Sequence, residues 1–273
     1  DRYMILDSIV EKKRKELKRA REEEPIETLR SQAKSSPPLR AFEAGLGTEG
    51  EVSIIAEIKR ASPRTGPLLD HLDPGTLARQ YEEGAARAIS VLTDQEFFHG
   101  SFADLQRARE CTTLPLLRKD FIIDEYQIWE SRAKGADAIL LIARILEPNQ
   151  LADYIALARE ELSIPALVEI HNEKELESAL DGSASIIGIN NRDLDTFDVH
   201  LETTLRLRAG IPEDKIIVSE SGIANREDIL QLEAHHIDAA LIGENLVRSE
   251  NRIGKLQELR GVGNAHTRNP RCD

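Results

Sequence analysis

Oppositely charged side chains stand at the end of an apolar run early in the chain. Residues 53–59 are aliphatic or small apart from Ser53, Glu57 and Lys59. Positions two apart share one face of a β-strand, so Glu57 and Lys59 can point the same way. Buried charges are costly unless they pair or take part in chemistry, which makes these two residues candidates for acid–base catalysis. The alternative is a solvated pair that faces outward at the end of the strand.

Lys119 ends another apolar run. It follows Leu117 at a spacing of two, so the strand that holds it must turn Arg118 and Asp120 toward the opposite face. We expect burial and a neighbouring Lys59 to lower the pKa of Lys119, because both disfavour its charged form. A lysine of that kind can act as a general acid near neutral pH.

More polar side chains follow later apolar runs. Glu169 stands in apolar surroundings and is a candidate base with a raised pKa. His171, two residues further along the same face, is the alternative titrating group, although its position is more typical of a loop. Asn190 and Arg192 bring an amide and a guanidinium after another run. Phe121 offers an apolar wall beside them, with simple core packing as the alternative.

Small residues mark the last two runs. Ser221–Gly222 and Gly243–Glu244 follow them, and glycine lets a phosphate approach the backbone closely. In α/β barrels the loops after the seventh and eighth strands commonly bind phosphate. Ser62, in the loop after the first run, adds a hydroxyl. Ordinary tight turns between strand and helix are the alternative explanation.

These residues need a scaffold that brings strand ends together. Eight near-continuous apolar runs recur along the chain, as is typical of parallel strands that are buried on both faces. They cover residues 53–59, 88–93, 114–119, 138–142, 165–170, 186–190, 216–220 and 239–243. Helical patterns fill gaps at 74–83, 126–134, 147–161, 173–180 and 226–234. The alternation predicts an α/β fold, a (β/α)8 TIM barrel. A doubly wound open sheet is the alternative, but no G-x-G-x-x-G loop is present.

The two ends of the chain differ from this core. We predict an N-terminal helical extension over residues 1–50, with one helix at 5–23 and a second, short helix that Pro37–Pro38 opens and Phe42 ends. The extension would close the bottom of the barrel or cover its mouth. The predicted barrel spans residues 51–260, and the polar segment 261–273 is predicted to be a flexible C-terminal tail.

Composition limits the possible partners. A net charge of −13 argues against nucleic acid and anionic membranes, since both usually require a basic face. No apolar run approaches the roughly 20 residues of a membrane-spanning helix. Two cysteines, Cys111 and Cys272, are too few for a disulfide framework or a cysteine zinc site, and the histidines lack metal-ligand spacing. We therefore expect a reduced, cytoplasmic protein that holds no metal.

Together these residues resemble one family, indole-3-glycerol phosphate synthase of tryptophan biosynthesis. Its motifs A-E-I-K-x-x-S-P and L-x-K-D-F match residues 56–63 and 117–121. Further matches, in the family's order, lie at 100–101, 167–169, 188–194, 219–223 and 241–244, and the likeness runs from about residue 4 to residue 260. The resemblance implies ring closure of 1-(2-carboxyphenylamino)-1-deoxyribulose 5-phosphate with loss of CO2 and water, by general acid–base catalysis without a cofactor. The implied partner is a small anion that carries a phosphate and a carboxylate.

The resemblance also assigns roles. It makes Lys119 the general acid that protonates the carbonyl oxygen, Glu169 the residue for proton transfers in dehydration, and Lys59 a contact to anionic groups and a second proton donor. The predicted catalytic residues are Glu57, Lys59, Lys119, Glu169, Asn190 and Ser221. The predicted substrate-binding residues are Ser62, Phe98, Phe121, Leu140, Arg192, Leu194, Glu220, Gly222, Gly243 and Glu244. At Glu244 some relatives have serine, so only the backbone would serve the phosphate there.

Two other functions stay open at this stage. Phosphoribosylanthranilate isomerase would need a cysteine at a strand end, and neither cysteine is so placed. A barrel that binds a sugar phosphate without turning it over is the second. We expect a monomer, and association with other enzymes of tryptophan biosynthesis remains an open question.

Overall fold

The computed structural model of the chain describes residues 4–47, 50–63, 65–69, 71–193 and 198–262. Eight parallel strands close into a barrel in which the first strand pairs with both the second and the last. The barrel strands are β1 (Ser53–Ile58), β4 (Ala88–Leu92), β5 (Leu116–Lys119), β6 (Ala138–Ile142), β7 (Ala166–Ile170), β8 (Ile186–Asn190), β9 (Ile216–Glu220) and β10 (Ala239–Ile242). Two short strands, β2 (Ala61–Ser62) and β3 (Gly66–Pro67), pair antiparallel in the loop after β1. The predicted (β/α)8 barrel is confirmed.

Two helices precede β1, and the other helices alternate with the barrel strands or follow the last of them. They are α1 (Met4–Glu23), α2 (Ile26–Ser35), α3 (Pro74–Glu83), α4 (Phe102–Cys111), α5 (Glu125–Ala133), α6 (Pro148–Ala156), α7 (Glu173–Asp181), α8 (Glu202–Arg208), α9 (Arg226–Ala234), α10 (Glu244–Arg248) and α11 (Arg252–Arg260). Glu43–Gly45 and Ala143–Ile145 form 3₁₀ turns. The helix predicted over 147–161 changes after Ala156 into a π-helical turn, Leu157–Glu161.

Side-chain caps explain where several helices begin. Asp73, Ser101, Asp124 and Asn172 each accept a backbone N–H of the helix that follows. Such a cap satisfies one of the donors that the first turn of a helix leaves without an intrahelical partner. The strand-to-helix loops are thereby fixed at the carboxyl end of the barrel.

The predicted helix from Pro37–Pro38 to Phe42 is wrong. The second helix is α2, Ile26–Ser35, and Ser36 after it is extended, with φ −64° and ψ 150°. Proline disfavours helical backbone in the residue before it, so Pro37 and Pro38 end a helix here instead of opening one. The extended segment is held to the barrel by the backbone N–H of Arg40, which donates to Asp137 Oδ1 at 3.0 Å.

The extension covers both ends of the barrel. Phe42 and Leu46 are buried in the apolar cluster inside the barrel, and the hydroxyl of Ser53, at the start of β1, donates to Gly45. They therefore close the amino end of the strands. At the opposite end, Leu6 and Ile9 of α1 lie over the mouth. Most of the predicted tail, residues 263–273, lies outside the described residues.

Candidate active site

A cavity of about 590 Å³ opens at the carboxyl end of the strands. All the predicted site residues contribute to its wall except Leu194, which lies outside the described residues. In parallel barrels this end carries the chemistry, because every loop that follows a strand converges there.

Three carboxylates and two ammonium groups meet in the cavity. Lys119 Nζ lies 2.8 Å from Glu220 Oε2 and 3.5 Å from Glu169 Oε2. Lys59 Nζ lies 2.9 Å from Glu57 Oε1. Arg118 and Asp120 face away from this group and pair with each other at 3.0 Å, as the alternation along β5 predicts. The charges are therefore buried in pairs, and the outward alternative for Glu57 and Lys59 is wrong.

A chain of hydrogen bonds orients one carboxylate. Asn190 Nδ2 donates to Glu169 Oε1 at 3.2 Å, and the Ser221 hydroxyl donates to Asn190 Oδ1 at 2.9 Å. The backbone N–H of Arg192 donates to the same amide oxygen. These bonds fix which way the Asn190 amide faces, so its N–H group must point at Glu169.

The expected low pKa of Lys119 is wrong. Burial alone would lower it, but Glu220, Glu169 and Glu57 outweigh burial and raise the pKa of Lys119 above its usual range. Lys59, which we expected to repel Lys119, is itself paired with Glu57. Lys119 is thus an ammonium that its neighbours hold firmly protonated.

Glu169 and Glu220, the two carboxylates beside Lys119, have pKa values that are shifted in opposite directions. Burial alone would raise the pKa of Glu169, but Lys119, His171 and Asn190 lower it, so the expected raised value is wrong. Burial raises the pKa of Glu220 to about 7, despite the attraction of Lys119. Since the two carboxylates share one ammonium, Glu169 is the ionised member and Glu220 the one that holds a proton near neutrality.

Two glycines make room for the charged side chains. A Cβ on Gly243 would lie 2.3 Å from Glu57 Oε1, and a Cβ on Gly188 would lie 2.4 Å from Glu220 Oε1. Any side chain at either position would displace a buried carboxylate. The sequence does not reveal this role of Gly188, because the contact joins two different strands.

The loop after β9 has left-handed backbone at consecutive residues. Ser221 has φ 70° and Gly222 has φ 80°, and both line the cavity. Turns of this kind form concave sites for anions, and a glycine leaves the backbone open to a ligand. On the neighbouring loop, Glu244 Oε1 accepts a bond from Arg248 Nε at 3.0 Å, so the Glu244 side chain is already partnered.

Apolar side chains form the other wall. The rings of Phe98 and Phe121 lie 6.2 Å apart between centroids, and Leu140 is buried beside the mouth. Ser62 is in hydrogen-bond contact with Thr65 at 2.8 Å in the loop after β1. Arg192 also lines the cavity.

Sequence reasoning missed some residues of the wall. Leu6 and Ile9 come from α1, Thr65 comes from the loop after β1, and Arg248 comes from α10. The helical period of residues 5–23 could have shown which face of α1 is apolar, but not where that face docks.

The described residues contain neither a group of three or more His, Cys, Asp or Glu arranged to hold a metal ion nor a helix of the length and apolarity that a membrane crossing requires. Cys111 is the last residue of α4, so it is not at the carboxyl end of a strand.

A closed (β/α)8 barrel whose mouth gathers ammonium, carboxylate and amide groups defines an enzyme that performs acid–base chemistry on a small molecule. The family model described as indole-3-glycerol phosphate synthase matches residues 6–259. The chain belongs to the indole-3-glycerol phosphate synthase family, whose members are decarboxylating lyases of tryptophan biosynthesis. This membership decides against the isomerase alternative.

Individual relatives agree. The chain is 46% identical over 257 residues to the indole-3-glycerol phosphate synthase of Alkaliphilus metalliredigens, covering 94% of this chain and 98% of that one. It is 44% identical over 257 residues to that of Desulforamulus reducens, covering 94% and 97%. Among solved structures, KGPDC from Streptococcus mutans has a similar fold, with a TM-score of 0.60 at 10% identity over 77% of this chain and 96% of that one.

Proposed function

We propose that the mouth of this barrel closes the indole ring of 1-(2-carboxyphenylamino)-1-deoxyribulose 5-phosphate, with Lys119 as the general acid and Glu169 as the base. The observation that carries this proposal is the position of Lys119 Nζ, 2.8 Å from Glu220 and 3.5 Å from Glu169 in one cavity. A protonated group beside an ionised carboxylate is what a reaction needs if it protonates one oxygen and later removes a proton.

The cavity can receive each part of such a substrate. The left-handed turn at Ser221 and Gly222 suits the phosphate. The Phe98 and Phe121 rings suit the aromatic ring. Arg192 and Lys59, both in the wall of the cavity, are cations that suit its carboxylate. A volume of about 590 Å³ is within the range of pockets for small ligands.

The chemical steps follow from the protonation states. Lys119 donates to the ketone oxygen while the ring carbon that carries the carboxylate bonds to the ketone carbon. Loss of CO2 returns the electron pair to the ring, and the former ketone oxygen is then a hydroxyl. Lys59 donates one further proton to that hydroxyl, which leaves as water. Glu169 then takes the proton from the neighbouring carbon, between the nitrogen and the former ketone carbon, and this completes the pyrrole ring. Glu57 positions Lys59, and Asn190 positions Glu169, through the contacts given above.

The cellular setting belongs to the same proposal. We propose a monomer in the cytoplasm that acts on a small anion. An acidic chain with few cysteines supports that setting.

The direct test is turnover of the deoxyribulose phosphate by purified protein without added metal, followed by the fluorescence of the indole product. Lys119→Met should lower kcat by orders of magnitude while substrate still binds, because the step that needs a proton donor loses it. Lys174→Met, an exposed lysine on α7, is the matched control and should turn over normally. Substantial kcat in a folded Lys119→Met protein would remove Lys119 from the acid role.

A further inference from the structure

His171 lies between two carboxylates. Its Nδ1 is 3.0 Å from Glu175 Oε2, and its Nε2 is 3.4 Å from Glu169 Oε1. The side chain is 7% exposed. The sequence offers His171 as an alternative titrating group to Glu169, but in the structure the two are neighbours, and His171 faces the Glu169 oxygen that Lys119 does not contact.

Glu175 is itself held rigidly. Its Oε2 accepts the backbone N–H of His171 at 2.7 Å, and its Oε1 accepts Asn172 Nδ2 at 2.7 Å. Asn172 in turn accepts the backbone N–H of Glu175 as the cap of α7. With a fixed carboxylate at Nδ1, the ring keeps its Nδ1 proton, and its orientation directs Nε2 at Glu169.

The charges around Glu169 explain what this ring can contribute. Lys119 is shared with Glu220, which lies closer to it than Glu169 does. Asn190 gives Glu169 a neutral hydrogen bond. Glu169 therefore shares its one ammonium partner with another carboxylate. A positively charged His171 ring would give Glu169 a second cation, at Nε2.

We infer that His171, held by Glu175, is a positioning residue whose protonated ring orients the Glu169 carboxylate and keeps it ionised for proton abstraction. This inference rests on the proposed role of Glu169 as the base. No bond to substrate is involved, because His171 acts through Glu169.

Among the described residues, three charged groups act on the ring. Glu169 at the end of β7 and Glu175 on α7 favour the charged ring, while Arg144 in the turn after β6 opposes it. Burial alone would lower the pKa of His171, but the two carboxylates outweigh burial and raise it above its usual range. The geometry and the charges therefore point the same way.

The test is the pH dependence of kcat in His171→Gln. Glutamine keeps a donor within reach of Glu169 but carries no charge. We expect the acid limb of the kcat profile to move up by about one pH unit, since an adjacent cation lowers a carboxyl pKa by at least that much. Below the limb kcat should be about tenfold lower than in the wild type. At alkaline pH, where the wild-type ring is also neutral, the two enzymes should converge, and KM should stay unchanged.

A matched control and a second variant make the result decisive. His235→Gln, an exposed histidine at the end of α9, should leave the profile unchanged. Glu175→Gln should move the acid limb in the same direction by a smaller amount, and it serves if His171→Gln fails to fold. An unmoved acid limb, or an equal loss of kcat at every pH together with a lower Tm, would overturn the inference.

One comparison separates this inference from the proposed function. If Glu169→Gln keeps normal kcat, Glu169 is not the base and the proposed function is wrong at that residue. If Glu169→Gln is inactive while His171→Gln has the wild-type profile, only the role of His171 is wrong. Nitrogen NMR of the wild-type ring, assigned by its absence in His171→Gln, should show both ring nitrogens protonated at neutral pH.

Discussion

Lys13 fastens the N-terminal helix to the mouth of the barrel. Its ammonium is almost fully buried, 2.9 Å from Asp94 Oδ2 and 3.1 Å from Asp120 Oδ1. Ile9, Lys13 and Leu17 follow one another at a spacing of four, so they form one buried stripe on α1. Replacing Lys13 by Met keeps the length of the side chain and removes the charge.

The size of the effect follows from what each partner keeps. Removing one member of a buried ion pair costs about 3–5 kcal/mol, because the charge left behind has lost its counterion. Asp120 keeps Arg118 at 3.0 Å and the Thr93 hydroxyl at 2.7 Å, while Asp94 keeps the backbone N–H of Phe97. We therefore expect the lower end, about 3 kcal/mol. Burial of Ile9 and Leu17 contributes about 1.5–3 kcal/mol each to docking, so the loss is comparable to the apolar contribution.

Hydrogen exchange measures this loss locally. A change of about 3 kcal/mol in the opening of α1 corresponds to roughly 100-fold faster exchange of its protected amides, with the barrel strands unaffected. Lys15→Met is the control, because Lys15 is exposed and solvent screens its i,i+4 pair with Glu11, so the pair contributes little to stability. Unchanged protection of α1 in Lys13→Met, or an equal change in Lys15→Met, would refute the reasoning.

Three further predictions concern the mouth. Gly222→Ala should raise KM more than it lowers kcat, as measured by steady-state kinetics. An added Cβ would lie 2.4 Å from Val199, and left-handed backbone costs an L residue about 1–2 kcal/mol. Glu220→Gln should remove the ionisation near pH 7 from the kcat/KM profile, since burial raises the pKa of Glu220 to about 7; a profile that keeps it assigns it elsewhere. Burial alone would raise the pKa of Asp120, but the cations beside it hold that pKa below its usual range. Its contribution to stability is therefore present above the unfolded value of about 4 and lost as the pH falls below it, so urea midpoints should fall more steeply with acid in the wild type than in Asp120→Asn.

Most of the architecture can be predicted from the sequence because the pattern of a buried strand occurs eight times. Eight near-continuous apolar runs each predict a buried parallel strand, so an error at one strand boundary does not alter the fold. The carboxyl ends of barrel strands all lie at one face, so the sequence alone predicts that Glu57, Lys119 and Glu169 lie in one site. The same alternation predicted correctly that Arg118 would face away from Lys119.

Pairing across the barrel could not be predicted in the same way. The pKa of Lys119 depends on Glu220 and Glu169, which lie 101 and 50 residues further along the chain. Without those distances, the expected pKa of Lys119 rests on burial and on Lys59, and that of Glu169 on burial alone, and both directions are wrong. The helix Ile26–Ser35 escapes prediction for a local reason, because proline occurs both at the first position of helices and just after their ends, and here Pro37–Pro38 follows the end.

The ion pair between Lys119 and Glu220 affects how readily Lys119 gives up its proton. An ammonium whose pKa is raised by carboxylates gives up a proton reluctantly, so Lys119 alone is a poor donor in the empty site. Protonation of Glu220 removes one of the negative charges that hold the Lys119 proton, and the pKa of Glu220 is near 7. On the proposed role of Lys119, the proton donor is therefore the Lys119–Glu220 pair, which carries a second proton close to the first. If the backbone at Ser221 and Gly222 receives the phosphate, as proposed, both groups stay available for chemistry, although the whole chain carries a net charge of −13.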